Sequence, residues 1–369
     1  MSKIVISGYY GFANAGDEAM LTAIIKALRS REASAELTVI SGNPQATAAR
    51  HRVDSIHRFN PLAIIAALRS SDLLISGGGS LLQDVTSRKS LLYYLSVLAL
   101  GRWCGKKVML FGQGIGPIRS CLLRRLTRFV CSSADLITVR DTDSLEELKR
   151  IGIPKEKVAL TADAVLTLPQ AQISQGREIL QQFAVPSDKK LIAISVRKWQ
   201  DDKNYLKVLA EAADQLIDRY GVHIVLLPLQ YPVDIEVCKK VKEYIKHNAC
   251  CTVLDAAFDT EQFLSLMGNF SLLIGMRLHA LIFAAVMRIP FVGVSYDPKI
   301  DGFIKEVAGV NAGQIEGLTV QAVVAAAEKA LHGSTESWQK LDDLRNKAMK
   351  NVSLAFSLLP VSQKHLKGE

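Results

Sequence analysis

Three patterns are missing from this 369-residue chain, and each absence excludes a class of protein. The six cysteines include no C-x-x-C pair, which excludes a disulfide scaffold and argues against a zinc ribbon. The seven histidines include no His-x-x-x-His pair, so we expect neither a metal nor another cofactor. The longest nearly uncharged apolar run, Leu91–Gly101, is far shorter than the roughly 20 residues of a membrane-spanning helix.

The N-terminus also lacks the pattern of a secretory signal. It has one lysine and a short apolar run that turns at Gly8, which is typical of a β-strand. The scattered cysteines are those of a chain that keeps its thiols reduced. We therefore expect a cytoplasmic protein.

Acidic residues are missing from one long window, between Asp84 and Asp135. Residues 1–170 carry 22 Lys and Arg against 14 Asp and Glu, whereas the remainder carries 23 against 22. The first half should therefore present a positive face to a negative partner. The basic residues of the window are Arg88, Lys89, Arg102, Lys106, Lys107, Arg119, Arg124, Arg125 and Arg128.

Four explanations fit this basic region, residues 85–134: an anionic membrane surface, a phosphorylated substrate, nucleic acid, or a solvated face without a partner. No helix-turn-helix, zinc finger or RNA-binding signature is present, so we expect no nucleic acid. Ile118–Val130 has the pattern of a basic amphipathic helix of the kind that lies on anionic lipid. Peripheral contact with the inner face of the cell membrane is the favoured interpretation.

The apolar residues form short runs rich in Val, Ile and Leu, separated by turns and helical stretches such as Glu18–Arg31 and Asn204–Tyr220. This alternation predicts an α/β fold with parallel sheets covered on both faces. The predicted strands are Lys3–Ser7, Leu37–Ser41, Leu73–Ser76, Val108–Gly112, Leu136–Val139, Leu191–Val196, His223–Leu227, Ser271–Ile274 and Phe291–Ser295.

A polar stretch without strands, Leu166–Pro186, divides this series and predicts a linker. We expect two doubly wound, Rossmann-like domains facing a cleft, with ligands at the carboxyl ends of the strands. Residues 1–170 would form the basic domain on the acceptor and membrane side, and residues 185–333 the donor domain. A last helix, residues 336–358, could cross back to the first domain.

The turn Gly8–Glu18 follows the first strand and contains Gly8, Gly11 and Gly16. Its glycine spacing is not that of a dinucleotide fingerprint, and Asp17 at the helix start disfavours a phosphate there. Asp17 is more simply an N-cap. A role for this loop in lining an acceptor site and its purely structural role stay equally open.

Two further glycine turns follow strands. Gly77-Gly78-Gly79-Ser80 could bend its amides towards an anion or a sugar, or pack against a neighbouring strand. The turn Gly112–Pro117 is similar, with Gln113 as a polar group at the strand end.

The turn with the most chemical character is Ile274–Ala280, where a strand ends at Gly275 and a helix opens with Arg277 and His279. The positive helix N-terminus and Arg277 attract an anion, and His279 is a candidate acid/base residue. Further cations follow other strands: Arg140, Arg197 and Lys299. Each alone fits a surface cation or an ion-pair partner, but a doubly wound domain directs strand ends into one crevice.

In this order, the motifs resemble those of the polysaccharide pyruvyltransferases, and most closely the CsaB-type branch that acts on secondary cell wall polymer. The similarity runs from about residue 3 to residue 330. The motifs that carry it are Gly8-Tyr-Tyr-Gly-x-x-Asn14-x-Gly16-Asp17-Glu18, Gly77-Gly-Gly-Ser80, Gln113-Gly-Ile-Gly116, Val139-Arg140-Asp141-x-x-Ser144, Gly275-Met-Arg277-Leu-His279 and Ser295-Tyr-Asp-Pro-Lys299.

The resemblance implies a glycosyltransferase-B-type fold, phosphoenolpyruvate as donor, and a lipid-diphosphate-linked saccharide as acceptor. The terminal sugar would be a β-linked N-acetylmannosamine, and the product a 4,6-linked pyruvate ketal. By position it implies catalytic roles for His279, Arg140 and Lys299, although lysine at this last position lacks the bidentate geometry of arginine. Substrate contacts are expected from Arg277, Gly275, Arg197, Asn14, Asp17, Gly78, Gly79, Ser80 and Gln113.

Two other functions remain compatible with the sequence. A glycosyltransferase or a sugar-nucleotide epimerase would share the fold, since fold does not fix function. A non-catalytic polysaccharide-binding protein ranks last, because such modules expose aromatic residues and only 7% of this chain is aromatic.

Overall fold

Two parallel β-sheets, each covered by helices, organise the chain. The computed structural model describes residues 1–85, 87–200, 204–333 and 335–360. The chain forms two compact units: unit 1 contains Met1–Phe12, Asp17–Thr167 and the residues from Arg345 onward, and unit 2 contains Ala13–Gly16 and Leu168–Leu344.

The sheet of unit 1 has the strand order β3-β2-β1-β4-β5-β6-β7, with every pairing parallel. Its strands are β1 Lys3–Ser7, β2 Glu36–Ser41, β3 Asp54–His57, β4 Leu73–Gly77, β5 Lys107–Gln113, β6 Leu136–Val139 and β7 Val158–Leu160. The helices between them are α1 Ala15–Arg31, α2 Pro44–His51, α3 Pro61–Ser70, α4 Arg88–Trp103, α5 Cys121–Ser132 and α6 Thr142–Ile151.

The sheet of unit 2 has the order β10-β9-β8-β11-β12-β13 and is also parallel. Its strands are β8 Leu191–Ser195, β9 His223–Leu226, β10 Cys251–Val253, β11 Leu272–Gly275, β12 Phe291–Ser295 and β13 Val310–Gln314. Its helices are α7 Ser174–Gln182, α8 Asn204–Tyr220, α9 Ile235–Tyr244, α10 Thr260–Met267, α11 Leu278–Val286, α12 Pro298–Glu306 and α13 Val320–Leu331, and α14 Thr335–Ser357 follows.

The predicted strands are confirmed to within a residue or two at each end, and the predicted α/β class is confirmed with them. Four strands escaped prediction: β3, β7, β10 and β13. All four are the edges of their sheets. An edge strand is short and half exposed. It therefore lacks the uninterrupted apolar run from which a strand buried on both faces is predicted.

Two predicted features of the chain are corrected by the structure. The predicted linker, Leu166–Pro186, lacks strands as expected, but it contains helix α7, which packs against α10 in unit 2. A Cβ on Gly176 would overlap the backbone of Ser265, so this close packing requires glycine. Helix α1 begins at Ala15, so Asp17 lies in its first turn and is not the N-cap.

The buried side chain of Asn351 links helix α14 to unit 1 through hydrogen bonds. Its Oδ1 accepts from Thr138 Oγ1 at 2.5 Å and from Thr161 Oγ1 at 2.9 Å, and its Nδ2 donates to Ala162 O at 3.1 Å. A buried amide that satisfies its partners fixes the register of the helix, because any shift leaves these groups without hydrogen bonds.

Replacing Asn351 with alanine is therefore expected to lower the free energy of unfolding of unit 1 by about 1–3 kcal/mol, since it leaves buried polar groups unpaired. Urea denaturation of the variant measures this change. Lys350→Ala, at an exposed neighbouring position of the same helix, is the matched control and should leave the midpoint nearly unchanged. Equal midpoints for both variants would contradict the anchoring role.

Within the described ranges no helix is long and apolar enough to cross a membrane. The same residues contain no group of His, Cys, Asp and Glu placed to hold a metal ion. All six cysteines are free thiols. Burial raises the pKa of the Cys131 thiol to about 12.

Candidate functional site

In both sheets the strand order reverses between two adjacent strands, and ligands of doubly wound folds bind beside the carboxyl ends of such strands. In unit 1 the reversal falls between β1 and β4, and in unit 2 between β8 and β11. The predicted site residues follow these strands or their neighbours. Unit 1 carries Asp17, Gly78, Gly79, Ser80, Gln113 and Arg140, and unit 2 carries Asn14, Arg197, Gly275, Arg277, His279 and Lys299.

Unit 2 has a polar cavity of about 390 Å³ at this reversal. Arg197, just past β8, and Arg277, just past β11, both line it. The other lining residues are Lys198, Gln200, Gln230, Val233 and Asp234. A cavity with two guanidinium groups and one lysine against one carboxylate favours an anionic ligand.

Arg277 is the N-cap residue of α11, and its guanidinium is held from one side. Its Nη2 donates to Asp234 Oδ1 in a short ion pair and to Gln230 Oε1 at 3.3 Å. Asp234 is fully buried and also accepts from the backbone amide of Gln230 at 2.9 Å. This network fixes the orientation of Arg277, which lowers the entropy lost when it binds a ligand.

Arg197 stacks instead on an aromatic group. Its Nη1 donates to Tyr296 Oη at 2.7 Å, and its guanidinium carbon lies 4.8 Å from the centre of the Tyr296 ring. The Trp199 ring packs on Tyr296 at a centroid distance of 4.7 Å. In the part of the chain that the structure describes, Arg197 forms no ion pair with a carboxylate, so its charge can meet that of an anion in the cavity.

Lys299 lies near the same tyrosine. Its Nζ is 5.9 Å from the Tyr296 ring centre and 3.0 Å from Asp297 Oδ2. Both members of this pair are about a third exposed, so the pairing contributes little stability and can open towards a ligand.

His279 occupies the first turn of α11, two residues beyond Arg277, as predicted. A Cβ on Gly16 would overlap His279 Nδ1, so the imidazole packs against the bare backbone of that glycine. The Asn14–Gly16 segment is docked in unit 2 by a backbone bridge between Asn14 and Gln230 and by Ala15 N donating to Leu229 O at 3.0 Å. The Asn14–Gly16 part of the first glycine loop therefore packs next to His279.

Gly275 is the last residue of β11, and a Cβ there would lie 3.0 Å from Leu281 Cδ2. Its small size lets the first turn of α11 pack closely on the strand end. The predicted substrate contact of Gly275 stays a prediction, and this packing already accounts for a glycine at that position.

The two glycine turns of unit 1 pack on each other. Gly114 N donates to Gly79 O at 2.9 Å, and Gly78 N donates to Phe111 O at 3.1 Å. Gly78 has φ +57° and Gly79 φ +71°, a region that favours glycine, and a Cβ on Gly78 would overlap Met20. The positive φ and the close approach of helix α1 account for glycine at position 78, and the contact of this turn with an anion or a sugar stays a prediction.

Arg140 is buried at the end of β6 and is paired with carboxylates. Its Nη1 donates to Asp163 Oδ2 at 2.9 Å, its Nε to Asp141 Oδ2 at 3.4 Å, and its Nη2 to Ser80 Oγ at 3.1 Å. Burial disfavours the charged guanidinium, but the two carboxylates outweigh burial and raise the pKa of Arg140. Its charge is thus balanced within unit 1.

Two other predicted contacts of unit 1 also have partners inside the fold. Gln113 is fully buried, and its Nε2 donates to Ser76 Oγ at 3.1 Å. Its substrate contact stays a prediction. Asp17 lies close to the glycine turn, where a Cβ on Gly79 would be 3.0 Å from its Oδ1. Burial, followed by the charge of Asp17, raises the pKa of Tyr10 well above its usual value.

Sequence reasoning did not single out the residues that line the unit 2 cavity beside Arg197 and Arg277, among them Gln230 and Asp234, or the aromatic residues Trp199 and Tyr296. One signal was available for Gln230, because it follows β9 just as the predicted cations follow their strands. Asp234 gave no local signal, since only its burial next to Arg277 distinguishes it from a surface carboxylate.

Solved structures show which class of fold this arrangement defines. UDP-GlcNAc 2-epimerase from Methanocaldococcus jannaschii superimposes with a TM-score of 0.70 at 13% identity, over 97% of this chain and 100% of that chain. Anabaena Alr3699/HepE, solved with UDP and glucose, gives 0.62 at 12% identity, over 97% and 98%. At these identities the similarity shows the fold alone, which is of the glycosyltransferase-B type.

The sequence profile of the polysaccharide pyruvyl transferase family matches residues 14–298, most of the chain. The chain therefore belongs to that family and is a transferase, which excludes the non-catalytic binding protein. A curated relative is the amylovoran biosynthesis protein AmsJ of Erwinia amylovora, 22% identical over 92% of this chain and 94% of its own length.

Proposed function

We propose that this transferase uses phosphoenolpyruvate as donor and forms a 4,6-linked pyruvate ketal on a terminal sugar, with release of phosphate. The observation that carries this proposal is the polar cavity of unit 2, where Arg197 and Arg277 line one space beside the helix turn that bears His279. Phosphoenolpyruvate carries a carboxylate and a phosphate, which matches two guanidinium groups.

Arg197 and Arg277 hold these two groups of the donor in the proposed complex. Asp234 orients Arg277, and Tyr296 orients Arg197. Each guanidinium therefore loses little side-chain entropy when its N–H groups bind the ligand. Lys299, next to the same tyrosine, stabilises charge on the leaving phosphate. The catalytic role of Arg140 stays a prediction, because its charge is matched by Asp141 and Asp163.

The reaction balances with one proton-transferring residue. Two sugar hydroxyls form two C–O bonds to the central carbon of the donor, and the bond from that carbon to the phosphate oxygen breaks. One hydroxyl proton reaches the methylene carbon, which becomes a methyl group, and the other leaves with phosphate. His279, at the positive end of α11, passes a proton between hydroxyl and donor.

We further propose that the acceptor is a lipid-diphosphate-linked saccharide ending in β-N-acetylmannosamine, as in the CsaB-type branch that prepares secondary cell wall polymer for S-layer anchoring. Unit 1 is the acceptor side. Its basic region, residues 85–134, faces an anionic membrane surface, which places the enzyme on the cytoplasmic side of the cell membrane, where lipid-linked precursors are within reach.

The test combines the purified protein, phosphoenolpyruvate and a soluble β-N-acetylmannosaminide with a lipid-like aglycone. Released phosphate and the mass of the acceptor are followed together. We expect phosphate release that depends on the acceptor, and an acceptor mass gain of one pyruvate less one water. A reaction without acceptor serves as the control for simple hydrolysis of the donor.

Consumption of a UDP-sugar in place of phosphoenolpyruvate would overturn the proposed donor and leave the fold unaffected. Phosphate release with a different saccharide, and none with the mannosaminide, would overturn the proposed acceptor only. These two outcomes separate the donor assignment from the acceptor assignment.

A further inference from the structure

Helix α5 carries the basic amphipathic pattern, and the structure divides its apolar residues into two sets. Leu123 and Val130 are buried in the core of unit 1. Leu122 and Phe129 are 75% and 79% exposed. Leu122, Arg125 and Phe129 are spaced i, i+3 and i+7, so they form one stripe that points away from the core.

Helix α4 packs beside α5 and has a stripe of the same kind. Leu92 and Trp103 are 44% and 67% exposed and lie eleven residues apart, three helical turns, on one face. Helix α4 connects β4 to β5, and α5 connects β5 to β6, and these three strands are neighbours in that order in the sheet. Right-handed crossovers in one direction place both helices on the same face of the sheet. Their exposed stripes therefore share one surface, the α4–α5 patch, with Leu92, Trp103, Leu122 and Phe129 as its apolar members.

The basic residues around this patch are not all available to a partner. Arg102 and Lys107 pair with Asp135 at 2.9 and 3.0 Å, and Arg124 Nη2 donates to Ile118 O at 2.7 Å. These three cations are engaged within unit 1. The other exposed cations of the region are Arg88, Lys89, Arg119, Arg125 and Arg128, and Arg125 lies within the stripe of Leu122 and Phe129.

The acidic residues at the ends of the window are engaged too. Asp84 accepts from the backbone amides of Arg119 and Ser120, each at 2.8 Å, and Asp135 holds the ion pairs given above. Residues 85–134 themselves contain no carboxylate that could pair with the cations of the patch.

We propose that the α4–α5 patch is a membrane anchor that inserts Leu122, Phe129, Leu92 and Trp103 into the headgroup region of an anionic bilayer. Exposed Arg and Lys side chains around it pair with lipid phosphates. Large exposed apolar side chains on the same helices as exposed cations match a monotopic anchor, and tryptophan is enriched at the membrane interface. This deepens the membrane part of the proposed function, but it does not depend on the reaction.

A bilayer fits the patch better than a second copy of the chain. A symmetric self-contact would bring the same exposed arginines against each other, whereas an anionic leaflet complements them over the whole patch. The surface potential of anionic lipids and the apolar side chains then act together, as stable anchoring requires.

The experiment is co-sedimentation of the full chain with vesicles, without donor or acceptor. One set contains equal parts of phosphatidylglycerol and phosphatidylcholine, the other phosphatidylcholine alone. We expect binding to the anionic set and a partition coefficient at least about tenfold lower for the Leu122→Ser/Phe129→Ser variant. Leu331→Ser/Met349→Ser removes two exposed apolar side chains elsewhere and should bind as the unmodified chain does.

Charge reversal tests the basic part separately. Arg125→Glu/Arg128→Glu should lower binding to anionic vesicles by at least about tenfold, and salt should weaken the binding of the unmodified chain. Equal binding to both vesicle sets, unchanged binding of either patch variant, or a concentration-dependent dimer abolished by Leu122→Ser/Phe129→Ser would overturn the anchor. Because no turnover is measured, failure of the ketal assay and failure of this anchor are distinguishable.

Discussion

Replacing His279 with alanine is expected to lower kcat by about 10²–10⁴-fold, with a much smaller change in KM for phosphoenolpyruvate. The reason is that in the proposed reaction the imidazole moves a proton, whereas Arg197 and Arg277, which line the cavity, are proposed to hold the donor anion. Steady-state phosphate release with saturating acceptor measures both constants. His332→Ala, which removes an exposed histidine of unit 2 outside the site, is the matched control and should turn over normally.

The position of the imidazole can be tested without removing it. Gly16→Ala places a methyl group where His279 Nδ1 now lies, so it should lower kcat while His279 is still present. The residual kcat should be higher in Gly16→Ala than in His279→Ala, because the imidazole is displaced and not removed. If His279→Ala raises KM and leaves kcat intact, the histidine binds substrate and transfers no proton.

Replacing Asp163 with alanine is expected to lower the free energy of unfolding by about 3–5 kcal/mol, because it removes the closest partner of a buried guanidinium. Arg140 and Asp163 are each only about 5% exposed. Chemical denaturation measures the change. The control is Glu328→Gln, which breaks the exposed pair with Arg219 and should leave the denaturation midpoint nearly unchanged.

The double variant Arg140→Met/Asp163→Leu separates structure from catalysis. It removes both charges together, so it should recover most of the stability lost in Asp163→Ala. If the double variant is stable and turns over normally, Arg140 serves the fold. If it is stable but inactive, with donor affinity lost, Arg140 is the catalytic cation that the family resemblance implies.

The sequence alone determined the central strands of both sheets and the two-unit α/β class. Strands such as β1, β6 and β12 were predicted to the residue, because burial on both faces demands a continuous apolar run. This pattern does not identify the edge strands, because an edge strand is partly exposed and lacks a continuous apolar run. The edge strands are β3, β7, β10 and β13. Helix α7 was missed for a related reason: its polar, glutamine-rich stretch resembles a loop.

For the candidate site, the sequence indicated which turns could carry chemistry, because parallel strands end at one edge and the polar residues there stand out against apolar runs. It could not determine which charges are already matched. Arg140 and Arg197 both follow a strand, yet Arg140 meets Asp163 across 23 residues of chain, whereas Arg197 meets the ring of Tyr296 across 99. Which carboxylate or ring lies opposite a cation depends on chain crossovers, so only the tertiary structure decided it.

The same distinction holds for the basic region and for the first glycine loop. The sequence showed an excess of positive charge between Asp84 and Asp135, but only packing decided that Leu123 and Val130 face the core while Leu122 and Phe129 face outward. The sequence showed a glycine at position 16, but only the fold placed His279 against it. Local patterns record propensity and burial, whereas contacts between distant residues arise from sheet order, which no local pattern encodes.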